Sequence, residues 1–132
     1  MRTAIDSSVL LAIFNDEPGA AAWLDLLIRA RREGRLIVCD VVYAELTGAF
    51  PTEADLGAAL AKMGIDFDPV SPAAAWWAGQ RFCEYRREGG PRVHLVPDFL
   101  IAAHARIQAD RLAAVDRGYV RRYFSDLTLA AP

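Results

Sequence analysis

Five short extended segments, most of them apolar, punctuate this chain: Thr3–Ile5, Arg35–Cys39, Ile65–Val70, Leu112–Val115 and Leu127–Leu129. Most of the sequence between them has helical periodicity. Strands that alternate with helices do not pair as hairpins, because each crossover returns the chain to the same end of the sheet and the strands come out parallel. A parallel sheet is covered on both faces, so its strands read as continuous apolar runs. The pattern predicts an α/β fold, a three-layer α/β/α sandwich around a short parallel sheet. With 132 residues and no linker, repeat or low-complexity tract, residues 1–132 read as one domain.

The helices have recognisable ends. Ser7 or Ser8 is expected to cap a helix reaching Phe14, and Pro18-Gly19 breaks the chain. Ala20 to Arg32 follows, with Trp23, Leu24, Leu27 and Ile28 on one face and Gly34 closing it. Asp40 opens a helix over Val41 to Phe50, and Thr52-Glu53-Ala54-Asp55 resembles a capping box before a helix to Lys62. Ser71-Pro72 starts a helix to about Glu88, stopped by Gly89-Gly90-Pro91. Pro97-Asp98 begins the last long helix, which runs to Asp110. Trp23, Trp76 and Trp77 read as core and helix-packing groups.

Four acids are out of place against this background. Asp6 lies between Ala4-Ile5 and Val9–Phe14, where a carboxylate buried without a partner is strongly disfavoured. Asp6 and Asp116 fall at the carboxyl ends of strands, where parallel sheets bind ligands at the point of strand-order reversal. Glu45 is four residues after Val41 and three after Val42, and Asp98 is three before Ile101 and four before Ala102. Both therefore fall on apolar stripes. Taken singly, Asp6 or Asp98 could be a helix cap and Asp116-Arg117-Gly118 a turn. Together the four could converge on one edge of the sheet. Grouped carboxylates repel one another, so a cation should accompany them. Oxygen donors without thiolate or imidazole suit Mg²⁺ or Mn²⁺.

Other classes find less support. Cys39 and Cys83 have neither CxxC spacing nor a nearby pair of histidines, which argues against zinc and for reduced thiols in a cytoplasm. No apolar run approaches the ~20 residues of a membrane span. Asp6 and Asp16-Glu17 interrupt the apolar N-terminus that a signal peptide would need. A receiver-type phosphoacceptor domain wants a lysine at a late strand end, but the sole lysine is Lys62, in a helix. A haloacid-type phosphatase wants Asp-x-Asp where this chain has Asp6-Ser7-Ser8. His94, in a loop, and His104, on a helix among alanines, do not read as metal ligands.

The net charge of -2 argues at first against a nucleic-acid partner. Of fifteen basic residues, however, all but Lys62 are arginine, which forks onto phosphate. The stretch from Arg117 to Phe124 mixes cations with aromatics, as nucleic-acid surfaces do. Equally, Tyr123 and Phe124 could pack inward while the arginines snorkel.

The order TAIDSSVLLAIF, VVYAEL, PDFLIAAHA, AAVDRGYVRRYF resembles the PIN-domain nucleases, and most of all their VapC-type toxins from bacterial toxin–antitoxin pairs. The resemblance runs from Ile5 to Leu129. It implies metal-dependent cleavage of RNA, with Asp6, Glu45, Asp98 and Asp116 on the family's acidic positions. Asp6 and Asp98 would hold Mg²⁺ or Mn²⁺, and Glu45 and Asp116 would do so directly or through water. Ser8 matches a small polar residue that orients metal or phosphate near the first acid, and Arg117, Arg86 and Arg87 would hold flanking phosphates. The implied partners are a cognate antitoxin, whose amphipathic segment lies in an apolar groove, and a second copy in a homodimer. One position departs from the pattern: Ala114 stands where VapC-type sequences commonly carry Thr or Ser. An inactive PIN-like binding scaffold is the alternative that this departure supports.

Overall fold

The computed structural model describes residues 1–91, 95–115 and 118–132. Five strands, β1 (Arg2–Ile5), β2 (Arg35–Val38), β3 (Ile65–Phe67), β4 (Arg111–Ala113) and β5 (Leu129–Ala130), form one sheet in the order β3-β2-β1-β4-β5. Every pairing is parallel, with Ala4 opposite Ile37 on one side and Leu112 on the other. Helices α1 (Ser7–Phe14), α2 (Ala20–Glu33), α3 (Asp40–Glu45), α4 (Glu53–Lys62), α5 (Pro72–Arg87), α6 (Leu95–Gln108) and α7 (Tyr119–Tyr123) flank it. This is the expected α/β architecture. The strand order sets its functional end. From β1 the chain builds outward through β2 to β3, then returns to the other side of β1 for β4 and β5. The reversal lies between β1 and β4, and a crevice opens beyond their carboxyl ends.

Two apolar clusters hold α6 in place. The first joins the sheet to α1–α4 through Leu10, Leu27, Ile37 and Leu56, and takes Ile101 and Ala105 from α6. The second joins α5 and α7 to α6 through Ala74, Ala78, Phe99, Tyr123 and Phe124. Phe99 lies at its centre, with the rings of Phe124, Tyr85 and Phe82 at 5.4, 5.6 and 5.8 Å. A helix gripped on two sides has little freedom to shift. Its far end is held by polar contacts: buried His104 Nε2 lies 2.9 Å from Asp68 Oδ2, and Gln108 Nε2 donates to the same oxygen at 3.1 Å.

Several local expectations are met. Thr52 caps α4 by accepting from Asp55 N, and Ser71 caps α5 by accepting from Ala74 N, with Pro72 in the first turn. Gly34 closes α2 where the chain passes tightly under Met1. A Cβ at Gly34 would lie 1.7 Å from the Met1 carbonyl oxygen.

Others are corrected. The helix expected from Val41 to Phe50 ends at Glu45 and gives way to a 3₁₀ turn over Thr47–Ala49. Leu46 N is shared between the Val42 and Tyr43 carbonyls at 3.1 and 3.2 Å, and Thr47 Oγ1 donates to Ala44 O at 3.0 Å. Together these tighten the last turn. On α2 the inward face is Leu26, Leu27 and Ala30 with Trp23 half-buried, while Leu24 and Ile28 are 39% and 45% exposed. Trp76 is not core but 72% exposed, because Ala74 and Ala78 already occupy the inner side of α5. Trp77 does pack, edge-on to Phe124 at 5.1 Å. Cys39 is buried, and that burial pushes its thiol pKa up, so it stays protonated and inert.

Candidate metal centre at the sheet switch point

Asp6 is the first residue beyond β1, and its backbone N–H donates to the Ala113 carbonyl at 3.0 Å, which ties the ends of β1 and β4 together. Of the caps the sequence offers for α1, the structure takes Asp6 and not Ser7 or Ser8. Its Oδ2 accepts from the Ser8 backbone N–H at 3.3 Å and from the Ser8 hydroxyl. The cap does not remove Asp6 from the crevice. Although only 7% exposed, the residue lines a cavity of about 20 Å³ together with Asp98. That volume suits one water-sized group.

Asp98 reaches the cavity from the first turn of α6. The helix begins at Leu95, so Asp98 is past the cap position, and its charge is favoured there by the helix dipole. Ile101, Leu112, Ala114 and Val120 form the apolar part of the wall. Ala114 is buried and puts a methyl group where a hydroxyl was expected.

Glu45 arrives differently from its expectation. It is exposed rather than on the buried stripe, because α3 stops at this residue and Val42 and Leu46 take the inner positions. Its carboxylate is nonetheless tied to the residue that follows Asp6, since Ser7 Oγ donates to Glu45 Oε1 at 3.0 Å. Sequence reasoning missed this role for Ser7. The available signal was two consecutive hydroxyls after a strand-end acid, whose side chains fan in different directions from the first turn of a helix.

Asp116 and Arg117 lie outside the described residues, as does His94. No arginine among the described residues lines the acid cavity. Arg86 Nη1 donates to the Gly90 carbonyl at 2.8 Å, closing the end of α5. Arg87 lines a separate groove on the outer face of α5, with Trp76 and Cys83.

Among the described residues, no three His, Cys, Asp or Glu side chains converge as a ready-made metal cluster. The chemistry of the pair that does share the cavity still fits a hard cation. Asp6 and Asp98 offer oxygen donors only, in a space otherwise walled by carbon. Magnesium commonly binds through one or two carboxylates and keeps several waters.

A parallel α/β sheet with acids grouped at its switch point defines a class of site, and the sequence assigns the family. The chain belongs to the PIN domain family, whose profile matches residues 3–125. The fold is shared with VapBC2 from Rickettsia felis, solved bound to a DNA fragment from its promoter, at 18% identity and a TM-score of 0.75 over 98% of both chains. It is also shared with DNA-bound VapBC from Salmonella typhimurium, at 21% identity and a TM-score of 0.62 over 98% of this chain and 97% of that one. FitAcB from Neisseria gonorrhoeae aligns over the same shares, at 18% identity and a TM-score of 0.60. A search among curated proteins finds no match.

Proposed function

We propose that this protein is a Mg²⁺- or Mn²⁺-dependent endoribonuclease acting as the toxin of a toxin–antitoxin pair. The observation that carries the proposal is the shared cavity of Asp6 and Asp98 beyond the carboxyl ends of β1 and β4. In such a site a bound divalent ion offsets the carboxylate charge, lowers the pKa of a coordinated water and stabilises the leaving oxygen. Asp6 and Asp98 would hold the ion, and Glu45 and Asp116 would assist directly or through water. Ser8 fixes the carboxylate of Asp6, and Ser7 fixes that of Glu45. Glu45, held by Ser7, would orient the attacking water or ligate a second ion. Arg117 would bind a phosphate flanking the scissile bond, and Arg86 and Arg87, at the end of α5 and outside the acid cavity, would hold phosphates farther along the RNA without reading its sequence.

The partner reading draws on the solved relatives named VapBC and FitAcB. An antitoxin segment would need an apolar groove. One lies between α2 and α4, lined by Leu24, Ile28, Leu36 and Met63 and rimmed by Arg31, Arg32 and Lys62. A homodimer belongs to the same proposal.

The purified chain is expected to cleave RNA in Mg²⁺ or Mn²⁺ and to stop in EDTA. Asp98→Asn, which keeps volume but removes charge, is expected to abolish cleavage and relieve growth arrest on expression while leaving the folded state intact. RNA that survives both metals would favour the inactive scaffold, the reading that the Ala114 methyl supports.

A further inference from the structure

Among the described residues, Trp76 is the largest apolar side chain left in water, 72% exposed on the outer face of α5. It heads a stripe. Gln80, Cys83 and Arg87 follow at helical spacing, all of them exposed, and with Ala75 and Gly79 they line a groove of about 500 Å³ along the helix. The buried Ala74 and Ala78 lie on the opposite side, so the indole has no core to turn toward. Gly79 is as unexpected as the tryptophan. Glycine inside a helix is less favourable than alanine, yet a Cβ at Gly79 would meet no atom within 4 Å and its backbone is helical. The fold does not demand glycine here. Its bare backbone, one turn beyond Trp76, leaves the space beside the indole open.

The chemistry of the groove favours a nucleic acid. A base offers a flat π-face to an indole, and its phosphate offers charge to an arginine. A docked protein calls for a contiguous apolar patch, but Trp76 is the sole large apolar side chain exposed on α5 among the described residues. No acid lines the groove to repel a polyanion. Its Arg87 end lies toward Asp98, since the rings of Tyr85 and Phe99 are 5.6 Å apart, while Arg106, farther along α6, sits over Trp77 at 5.9 Å. Arg87 and Trp76 are eleven residues apart, about 16 Å along the helix, a span of a few nucleotides.

We infer that Trp76 is a base-stacking platform for single-stranded RNA that passes from the acid cavity round the end of α5. The strand sets a phosphate on Arg87 and lays a base on the indole, in the space that Gly79 leaves open. Trp76 is thus a substrate-positioning residue of the proposed nuclease, and the inference rests on that reading.

The test measures three things on the full chain with a mixed-sequence single-stranded RNA: binding across a salt series in EDTA, quenching of tryptophan fluorescence, and cleavage in Mg²⁺. Trp76→Ala is expected to weaken binding about tenfold, the size of one base–aromatic stack, without changing the slope of log K against log salt. KM should rise with kcat nearly unchanged. Trp76→Phe should keep most of the affinity but lose the quenching that wild type shows, and Trp76→Leu, apolar but not flat, should bind no better than Trp76→Ala. Gly79→Gln, which fills the open space, should weaken binding with the Tm unchanged or raised, a split that a purely structural role would not give. Wild-type affinity and KM in Trp76→Ala, with cleavage intact, overturn the platform and leave the nuclease reading standing. A wild-type chain that binds RNA with quenching but cleaves none in Mg²⁺ or Mn²⁺ sinks the nuclease reading, while the loss in Trp76→Ala still supports the platform. If Trp76→Ala keeps its RNA affinity but turns a dimer into a monomer on gel filtration, the groove is a protein contact and the inference fails.

Discussion

Three consecutive polar residues after Ile5 divide the organisation of the site. Asp6 caps α1 and lines the cavity, Ser8 holds Asp6, and Ser7 holds Glu45. Ser7→Ala should therefore do two things. Losing one hydrogen bond to a charged group lowers stability by about 1–2 kcal/mol, measurable by urea unfolding. It also frees Glu45 to wander, and the rate of RNA cleavage is expected to drop about tenfold, within the range for loss of a supporting contact. Full activity in Ser7→Ala would remove Glu45 from the chemistry. At this scale the sequence was informative where a side chain opposed its surroundings. Asp6 and Asp98 could be picked out because each interrupts an apolar pattern. The buried stripe drawn through Val41 and Val42 fails for Glu45, because it assumes a helix running on to Phe50, which Thr47 and the shared Leu46 bond end at Glu45. The Ser7–Glu45 bond spans 38 residues of sequence, and no local pattern encodes it.

Among the elements, the boundary between α2 and β2 fixes how β1 enters the sheet. Gly34 lets Met1 O accept from Arg35 N at 3.0 Å, and Arg2 then pairs with Arg35 in the sheet. A methyl group there meets backbone, not a movable side chain. Gly34→Ala is expected to destabilise the fold by about 2 kcal/mol or more, read as a lower urea midpoint. A neutral result would mean that this junction opens without cost. Element type was legible because apolar strand segments and capped helices obey different periods, as Thr52 and Ser71 illustrate. The faces of helices were less so. Leu24, Ile28 and Trp76 satisfy a helical stripe, but small inward residues such as Ala30, Ala74 and Ala78 let the backbone approach the core and turn the larger side chains outward. Volume matching between elements, not hydrophobicity alone, chose the buried side.

For the whole molecule, strand order rather than strand content creates the acid cavity. A parallel sheet was readable from alternation, but the return of β4 to the far side of β1 was not, since pairing between distant segments leaves no periodic trace. That return brings Asp6, just beyond β1, and Asp98, on α6, to one cavity, although 91 residues lie between them. If the proposed cation joins the acids grouped in this way, its binding and the stability of the fold should be coupled.

Thermal unfolding of wild type and Asp98→Asn, each with and without Mg²⁺, addresses this coupling most directly. At ten times its dissociation constant Mg²⁺ should stabilise wild type by about 1.4 kcal/mol, a rise in Tm of several degrees. Asp98→Asn should melt no lower than wild type in EDTA and gain little from the metal. A wild-type Tm that ignores millimolar Mg²⁺ and Mn²⁺, or an equal rise in both proteins, would contradict a divalent-ion site built from Asp6 and Asp98.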